Sequence, residues 1–293
     1  MRHVRILVTG ASGFVGRHLV AHLSRRGHEV EAWSRQPGPD LPGLVWRSVD
    51  LLGHHLPAPL AGAWDAIFHL AAHTRPNAVW SSSLVLENVE FGARIFDHML
   101  AHAPHGRLVL ASSAHVYSPS TLPHLETDPC DPKGLYGLSK RLCEIWAFSL
   151  RKKLDVQIVR SFNLIGPGMP PGLLLTDLLA RIQTGENPIL LKGRDDKKDF
   201  LDVRDAILAY EAMLTIASPS GTYWNLCTGQ PTKVSEFVKG VLGCLGKQRQ
   251  IQFASDESGQ LIGDSSRLQA AALWHPAYNL SDMLTHALGV AHG

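Results

Sequence analysis

The sequence predicts an α/β fold, a doubly wound parallel sheet of Rossmann type with a smaller C-terminal α+β lobe. Apolar runs of strand length alternate with helical patterns through the first half of the 293-residue chain, and this alternation is typical of βαβ units. A glycine-rich turn between residues 10 and 16 follows the first run, where sheets of this class hold a dinucleotide. After residue 166 the elements shorten, which predicts the separate lobe.

The first predicted strand, residues 4–9, leads directly into the glycine turn, and an apolar-periodic helix follows from about Gly13. A tight turn into a helix N-terminus lets backbone amides approach a pyrophosphate, and the helix dipole favours its negative charge. The turn therefore predicts a dinucleotide site, the alternative being a plain connecting loop. The residues assigned to this site are Gly10, Ser12, Gly13, Phe14, Val15 and Gly16.

Further predicted strands follow along the chain, at residues 29–33, 44–49, 66–71, 107–113 and 155–162. We predict that residues 1–163 form the dinucleotide-binding domain and that residues 200–227 return to it. Residues 164–199 and 228–293 are predicted to form the lobe that covers the substrate. Their shorter elements are separated by Gly-Pro-rich turns and by a polar stretch at residues 192–198.

The composition excludes several other classes of protein. No apolar run is long enough to cross a bilayer, and residues 1–8 are interpreted as the start of the first strand. The net charge is +2 with dispersed basic residues, so no nucleic-acid partner is expected. The 4 cysteines are not closely paired, which favours reduced thiols and a cytoplasmic location. His69 and His73 have the spacing of metal ligands but lack a third candidate, so no metal site is predicted.

Tyr136 and Lys140 are spaced four residues apart on a predicted helix, and together with the glycine turn earlier in the chain they indicate a redox enzyme, for which we consider the reduction of a ketone. This reaction needs a hydride donor and a proton for the oxygen, and Tyr136 is the predicted acid. A lysine about 4 Å away, at an effective dielectric constant of about 20, would stabilise the phenolate by roughly 4 kcal/mol. We therefore expect the phenol pKa to fall from about 10 to about 7. Ser113, or Ser112 beside it, ends a strand where it can orient the carbonyl.

The end of the second predicted strand bears on the choice of cofactor. NAD-selective proteins of this class place an acidic residue there to hold the ribose hydroxyls. Ser34 and Arg35 instead offer a hydroxyl and a guanidinium that suit a 2′-phosphate. The sequence therefore predicts that NADP(H) is preferred and that NAD(H) is a possible substitute, the alternative being that Arg35 is an exposed loop residue.

In this order, the motifs resemble the extended branch of the short-chain dehydrogenase/reductase superfamily, which contains nucleotide-sugar epimerases, dehydratases and reductases. The resemblance implies that Asp50 and Leu51 contact the adenine, unless Asp50 is an exposed turn residue. It favours Ser113 over Ser112, because the family's serine precedes a tyrosine placed like Tyr117 by four residues. The segment that implies further cofactor contacts contains Leu70, Ala71 and Ala72.

The resemblance also implies that Asn163 and Lys198 contact the diphosphate of a nucleotide sugar. The alternatives are a turn-stabilising asparagine and a solvated surface lysine. Lys198 stands where the family usually has arginine, and residues 254–259 offer acids where a second arginine is expected. Arg249, Arg267 or residues 194–198 are candidates to replace it. The nucleotide therefore cannot be assigned from this pattern.

Two departures from the family narrow the reaction. Ala114 and His115 replace the Asp-Glu pair of sugar dehydratases, and the segment from Ser113 to Tyr117 lacks the cysteine of enzymes that combine epimerisation with reduction. Residues 200–229 are most similar to reductases of the GDP-4-keto-6-deoxymannose type. We expect an NADPH-dependent reductase of a 4-keto-6-deoxy nucleotide sugar. The alternatives are an NAD-retaining 4-epimerase, a reductase of a smaller ketone and a non-catalytic dinucleotide sensor.

The resemblance further implies a homodimer, since family members commonly pair through two helices from each subunit. Here these helices correspond to residues 79–101 and 136–152. The second helix carries an apolar stripe away from the catalytic residues, the alternative being that this stripe packs inside one subunit. The stripe consists of Leu142, Ile145, Trp146, Ser149 and Leu150.

Overall fold

The computed structural model describes residues 3–74, 81–254 and 259–290. Its largest element is a 7-stranded parallel sheet with the order β3-β2-β1-β4-β5-β6-β10. These strands are β1 (Arg5–Thr9), β2 (Glu29–Ser34), β3 (Leu44–Ser48), β4 (Ala66–His69), β5 (Arg107–Ser113), β6 (Asp155–Ser161) and β10 (Thr222–Leu226). The predicted doubly wound parallel sheet is confirmed, and the order reverses between β1 and β4, where such sheets bind ligands.

Helices cover both faces of this sheet because each central strand is apolar on both sides. In β1, Ile6 and Val8 face α1 (Phe14–Arg25) and α5 (Val203–Ala212). Leu7 between them faces the opposite layer. That layer contains α2 (Ser82–His102) and α3 (Leu135–Ser149), which pack against each other.

A second, smaller group of elements surrounds its own apolar core. One sheet joins β7 (Asn163–Ile165), β9 (Lys197–Asp202), β11 (Pro231–Lys233) and β13 (Gln260–Leu261), and β8 (Ile189–Leu191) pairs with β12 (Ile251–Phe253). The helices here are α4 (Leu174–Gln183), α6 (Val234–Cys244) and α8 (Leu280–Leu288). Their buried side chains include Leu178, Phe237 and Leu284. A further helix, α7 (Ser266–Ala272), packs beside β10.

The two groups of elements interleave along the chain. β9 pairs within the small sheet, whereas α5, which follows it directly, packs against α1 on the large sheet. β10 then joins the edge of the large sheet beside β6. Residues 200–202 therefore lie in the small sheet, and residues 203–226 lie against or within the large one.

Two general properties of the molecule follow from the described residues. Within them, no helix is both long enough and apolar enough to cross a membrane. The cysteines at positions 130, 143, 227 and 244 are free thiols.

Candidate active site

A cleft of about 1140 Å³ opens at the carboxyl ends of the central strands and extends to the small sheet. It brings together every residue that the sequence analysis assigned to the cofactor, the catalytic group or the substrate. These lining residues are Gly10, Ser12, Gly13, Phe14, Val15, Gly16, Ser34, Arg35, Asp50, Leu51, Leu70, Ala71, Ala72, Ser113, Tyr136, Lys140, Asn163 and Lys198. The structure therefore places them on one surface, although they are spread over nearly 200 positions of sequence.

The glycine turn has the shape that a dinucleotide pyrophosphate requires. Gly10 has φ of 67°, and a Cβ there would lie 2.7 Å from the backbone nitrogen of Ala71. A Cβ on Gly16 would lie 2.2 Å from the carbonyl oxygen of Gly10. Gly13 caps α1 without a side-chain hydrogen bond, and the first turn of the helix holds no acid. The helix N-terminus therefore presents backbone amides and a positive dipole end to the cleft, which suits an anion.

The end of β2 presents a cation to the same cleft. The Ser34 hydroxyl donates a hydrogen bond to the backbone carbonyl of Gln36, so its proton is directed into its own turn. Arg35 is exposed and lines the cleft. Of the predicted pair, the guanidinium is thus the group that can hold a phosphate.

The end of β3 leads into a tight turn beside this cation. One carboxylate oxygen of Asp50 accepts a hydrogen bond from the backbone nitrogen of Leu52 at 3.0 Å. Leu51 is buried and packs beneath the turn. Asp50 therefore stabilises its own turn while it lines the cleft.

The two adjacent serines at the end of β5 have different partners. The Ser112 hydroxyl donates to a carboxylate oxygen of Glu144 at 2.6 Å, inside the protein. The Ser113 side chain instead hydrogen-bonds the hydroxyl of Tyr136. Ser113 is therefore the serine that is positioned beside the predicted acid.

The electrostatic expectation for Tyr136 was wrong. Burial raises the pKa of the Tyr136 phenol above its usual value, and the hydrogen bond from Ser113 opposes this only in part. The ammonium of Lys140 donates to the backbone carbonyl of Ala111 at 2.9 Å. Burial also lowers the pKa of Lys140. Helical spacing places the lysine on the correct face of α3, but its ammonium contacts the end of β5.

Two histidines near β4, whose spacing resembles that of metal ligands, each have a partner within the protein. His69 is buried, and its Nδ1 lies 2.8 Å from the hydroxyl of Thr9. Burial, with a smaller effect from Lys140, lowers the pKa of His69 to about 3. The His73 ring pairs with Glu87 at 2.8 Å. No group of three potential metal ligands occurs in the described part of the chain.

Asn88 is a buried residue that connects two parts of the site, a role that the sequence analysis did not predict. Its side-chain oxygen accepts from the backbone nitrogen of His73 at 2.6 Å, and its amide donates to the His73 carbonyl at 3.1 Å. The same amide donates to the Ser139 hydroxyl at 2.9 Å. Asn88 thus joins the segment after β4 to α3, which carries Tyr136. No local signal in the sequence indicated this role, because the partners of Asn88 lie 15 and 51 positions away along the chain.

His115 is a second residue of the cleft that sequence reasoning did not assign. It lies in a short 3-10 turn, Ala114–Val116, which directly follows β5. Its Nδ1 lies 3.1 Å from the Ser113 hydroxyl, and its ring makes an edge contact with Tyr136 at a centroid distance of 5.7 Å. The sequence signalled it only as the residue that replaces a dehydratase acid.

The substrate side of the cleft combines a fixed amide with a cation. The Asn163 amide donates to the backbone carbonyl of Asp199 at 2.9 Å, so it ties β7 to β9. Lys198 lies on β9 and lines the cleft. Among the described lining residues, Lys197 accompanies it, whereas the candidate replacements Arg194, Arg249 and Arg267 are not included. The acidic loop at residues 255–258 lies outside the described residues.

The fold and this site define the class of protein. The chain belongs to the NAD dependent epimerase/dehydratase family, which residues 6–227 match. This confirms the resemblance to the extended short-chain dehydrogenases/reductases and identifies an NAD(P)-dependent enzyme of oxidoreductase type. Nicotinamide dinucleotides and small-molecule substrates are the ligands of this class.

Particular relatives carry different activities and ligands. The GDP-6-deoxy-D-mannose reductase of Pseudomonas aeruginosa is 29% identical, and the match covers 96% of this chain and 94% of the relative. The solved structure of MoeE5 in complex with UDP-glucuronic acid and NAD has a TM-score of 0.86 at 26% identity, covering 97% of this chain and 98% of that one. RMD from Pseudomonas aeruginosa complexed with NADPH has a TM-score of 0.78 at 25% identity, covering 98% of both chains.

Proposed function

We propose that this protein is an NADPH-dependent reductase of a 4-keto-6-deoxy nucleotide sugar. The observation that carries the proposal is the hydrogen bond between Ser113 and Tyr136, in a cleft that the glycine turn also lines. A proton donor and a dinucleotide site on one surface are the two requirements for adding hydrogen to a ketone. The 29% identity to a GDP-6-deoxy-D-mannose reductase over nearly the whole chain supports this assignment.

The residues that would hold the dinucleotide follow from the shape and charge of the cleft. The amides at the start of α1 bind the pyrophosphate, Arg35 binds a 2′-phosphate, and Asp50 with Leu51 borders the adenine. Lys140 lies at the end of β5, where its ammonium can reach ribose hydroxyls. When bound, the reduced nicotinamide supplies the hydride. The small side chains of Ala71 and Ala72 leave space for the backbone of the glycine turn and for the cofactor.

Tyr136 is the proton donor in this proposal. Its raised pKa keeps the phenol protonated at neutral pH, so the proton is present when the substrate binds. Ser113 donates a hydrogen bond to the carbonyl oxygen and fixes that oxygen beside the phenol. The proton then passes from Tyr136 to this oxygen as carbon receives the hydride, and the product is an alcohol.

The substrate end of the cleft favours an anionic ligand. Lys198 supplies a positive charge there, and Lys197 adds a second, so the two lysines outweigh the one carboxylate of Asp196 beside them. A diphosphate with two negative charges needs such compensation when it leaves water. Asn163 supports Lys198 by joining β7 to β9, the strand that carries the lysine.

An NAD-retaining 4-epimerase is the second candidate, and the similarity to MoeE5 with UDP-glucuronic acid and NAD favours it. Both candidates use the same acid, so the cofactor and the stoichiometry distinguish them. Mass spectrometry of the cofactor bound after purification is the first measurement, followed by NADPH oxidation with GDP-4-keto-6-deoxymannose. Stoichiometric NADPH consumption supports the reductase. Tightly bound NAD, with interconversion of UDP-sugar epimers and no net oxidation, would overturn it.

We further propose that the protein forms a homodimer through α2 and α3. We also propose a cytoplasmic location, because free thiols are suited to a reducing compartment. Leu142, Ile145 and Trp146 on α3 are 39%, 52% and 40% exposed, and Leu86 on α2 is 66% exposed. Contiguous apolar surface of this kind favours a protein partner. Sedimentation at micromolar concentration tests the proposal, and a strictly monomeric protein would contradict it.

A further inference from the structure

His115 is placed between the solvent in the cleft and the catalytic hydrogen bond. The Ser113 oxygen caps the 3-10 turn and accepts from the His115 backbone nitrogen at 3.2 Å, while Nδ1 of the ring lies 3.1 Å from the same oxygen. Ser113 in turn hydrogen-bonds Tyr136. The three side chains therefore form a continuous chain of hydrogen bonds from an exposed imidazole to the phenol.

The fold fixes this arrangement closely. A Cβ on Gly137 would lie 2.1 Å from the carbonyl oxygen of His115, so the first turn of α3 packs directly on the turn that carries the histidine. The same packing brings the Tyr136 ring into edge contact with the imidazole. His115 is therefore held near Tyr136 by backbone packing as well as by its side chain.

Net reduction of a ketone takes one proton from solvent in every turnover. Tyr136 becomes a phenolate when it protonates the substrate, and it must regain a proton before the next cycle. Lys140 is buried, and its ammonium donates to the backbone carbonyl of Ala111. Among the three hydrogen-bonded residues, His115 is the most exposed to solvent.

We infer that His115 and Ser113 form a proton relay that returns a proton from solvent to Tyr136 after each reduction. The Ser113 O–H bond breaks as its proton moves to the phenolate, and Nδ1–H of His115 protonates the Ser113 oxygen. Nε2 of the imidazole takes a proton from water in the cleft. The ring then returns to its starting tautomer by exchange with water. One proton enters, none is left over, and no electrons move.

The surroundings of His115 suit a neutral imidazole that accepts at one nitrogen and donates at the other. Tyr136 approaches the ring from α3, and Lys198 acts on it from β9. Although the residue is open to the cleft on one side, the protein atoms packed around the ring remove part of its hydration. This desolvation, and to a smaller extent the charge of Lys198, lowers the pKa of His115 below its usual value. Near pH 7 the ring therefore remains neutral, as a bidirectional relay requires.

The inference rests on the proposed reductase function, since an epimerase needs no net proton. The probe is GDP-4-keto-6-deoxymannose with NADPH, used with the His115→Ala enzyme under two conditions. With enzyme in excess, Tyr136 brings its own proton, so the single-turnover rate is expected to stay within about threefold of wild type. In the steady state, kcat is expected to fall about 100-fold, in the range of general acid–base effects. KM should change little, and added imidazole should restore at least about tenfold in kcat.

Two further variants separate a relay from a structural role. His115→Asn can hydrogen-bond Ser113 but cannot relay a proton, so its kcat is expected to stay as low as that of His115→Ala. His105→Ala removes an exposed histidine outside the cleft. Its kcat should equal that of wild type and should not change when imidazole is added. Wild-type kcat in His115→Asn, or an equal loss in the single turnover, would overturn the relay alone. Failure of the wild type to oxidise NADPH with the keto sugar would overturn the reductase function and the relay together.

Discussion

Glu144 and Arg160 form a bidentate ion pair inside the protein. Nε and a terminal nitrogen of Arg160 each lie 2.9 Å from a different carboxylate oxygen of Glu144. The two side chains are 0% and 2% exposed. Glu144 lies one helical turn after Lys140 on α3, and Arg160 lies on β6. Ser112 donates to the same carboxylate. The pair therefore fixes the helix that carries the predicted acid to the strands beneath it.

Breaking this pair is expected to destabilise the fold strongly. Glu144→Gln leaves the buried guanidinium without its counter-charge, and loss of one member of a buried pair costs about 3–5 kcal/mol. Urea unfolding measures the free energy. Asp177→Asn, which breaks a pair with Arg181 that is 33–40% exposed, is the matched control and should cost at most about 1 kcal/mol. A loss below about 1 kcal/mol in Glu144→Gln would contradict the expectation.

Tyr136→Phe is expected to abolish turnover while sparing cofactor binding. The substitution removes the donated proton and preserves the ring, so kcat should fall by about 10²–10⁴-fold. NADPH affinity, measured by fluorescence titration, should remain within about threefold of wild type. Lys140→Ala should weaken both properties. A Tyr136→Phe enzyme with near wild-type kcat would refute the role of the phenol.

Most of the large sheet could be predicted because its central strands, β1, β4, β5 and β6, are apolar and mostly buried. The predicted strands at residues 29–33 and 107–113 differ from β2 and β5 by at most one residue. The small sheet was harder to predict from the sequence. β13 has only 2 residues and β7 only 3, too few to show a period. Their pairing with β9 joins distant parts of the chain and leaves no local signal.

The predicted site residues were those that stand in short motifs, and the structure gathers them in one cleft. Contacts between motifs could not be predicted. The spacing of Tyr136 and Lys140 fixes their backbone positions, but the direction of the ammonium depends on Ala111, and the pKa of the phenol depends on burial. The contacts of His115 and Asn88 likewise arise only when β5, α2 and α3 pack together.

Cofactor preference should depend on Arg35. Wild type is expected to bind NADPH at least about tenfold more tightly than NADH, since a charge-assisted contact to a phosphate contributes about 1.5–3 kcal/mol. Arg35→Asp should reverse this preference through repulsion of the 2′-phosphate. Arg26→Asp, at the far end of α1, changes the same charge outside the cleft and serves as the control. Equal wild-type affinities for the two cofactors in a calorimetric titration would refute the prediction.

The buried His69 is expected to make stability depend on pH. Because burial lowers its pKa from 6.5 to about 3, the folded protein holds a neutral ring over a range in which the unfolded chain binds a proton. This contribution to stability is therefore present above pH 6.5 and is lost as the pH falls towards 3. Between pH 7.5 and 4.5 the loss from this group amounts to about 3 kcal/mol.

Urea unfolding of His69→Gln at these two pH values isolates that contribution. The variant should lose about 3 kcal/mol less than wild type on acidification, whatever its stability at pH 7.5. His105→Gln, an exposed position, should keep the wild-type dependence. If His69→Gln and wild type lose the same free energy, His69 is not held neutral in the folded protein.

Lys198 provides the test of substrate class. If the substrate is a nucleotide sugar, Lys198→Ala should raise its KM by about 10–100-fold, since a hydrogen bond to a charged group contributes about 1.5–3 kcal/mol. NADPH affinity should change much less, because the lysine lies on β9 in the small sheet, whereas the glycine turn follows β1 in the large sheet. Lys198→Arg keeps the charge and adds a second donor, so its KM should equal or fall below that of wild type. Lys239→Ala, exposed on α6, should leave KM unchanged and exclude a general effect of lost surface charge.

Calorimetry with UDP, GDP and dTDP in the presence of NADP then identifies the nucleotide. If none of the three binds at millimolar concentration, the substrate is a smaller ketone and the nucleotide-sugar assignment fails.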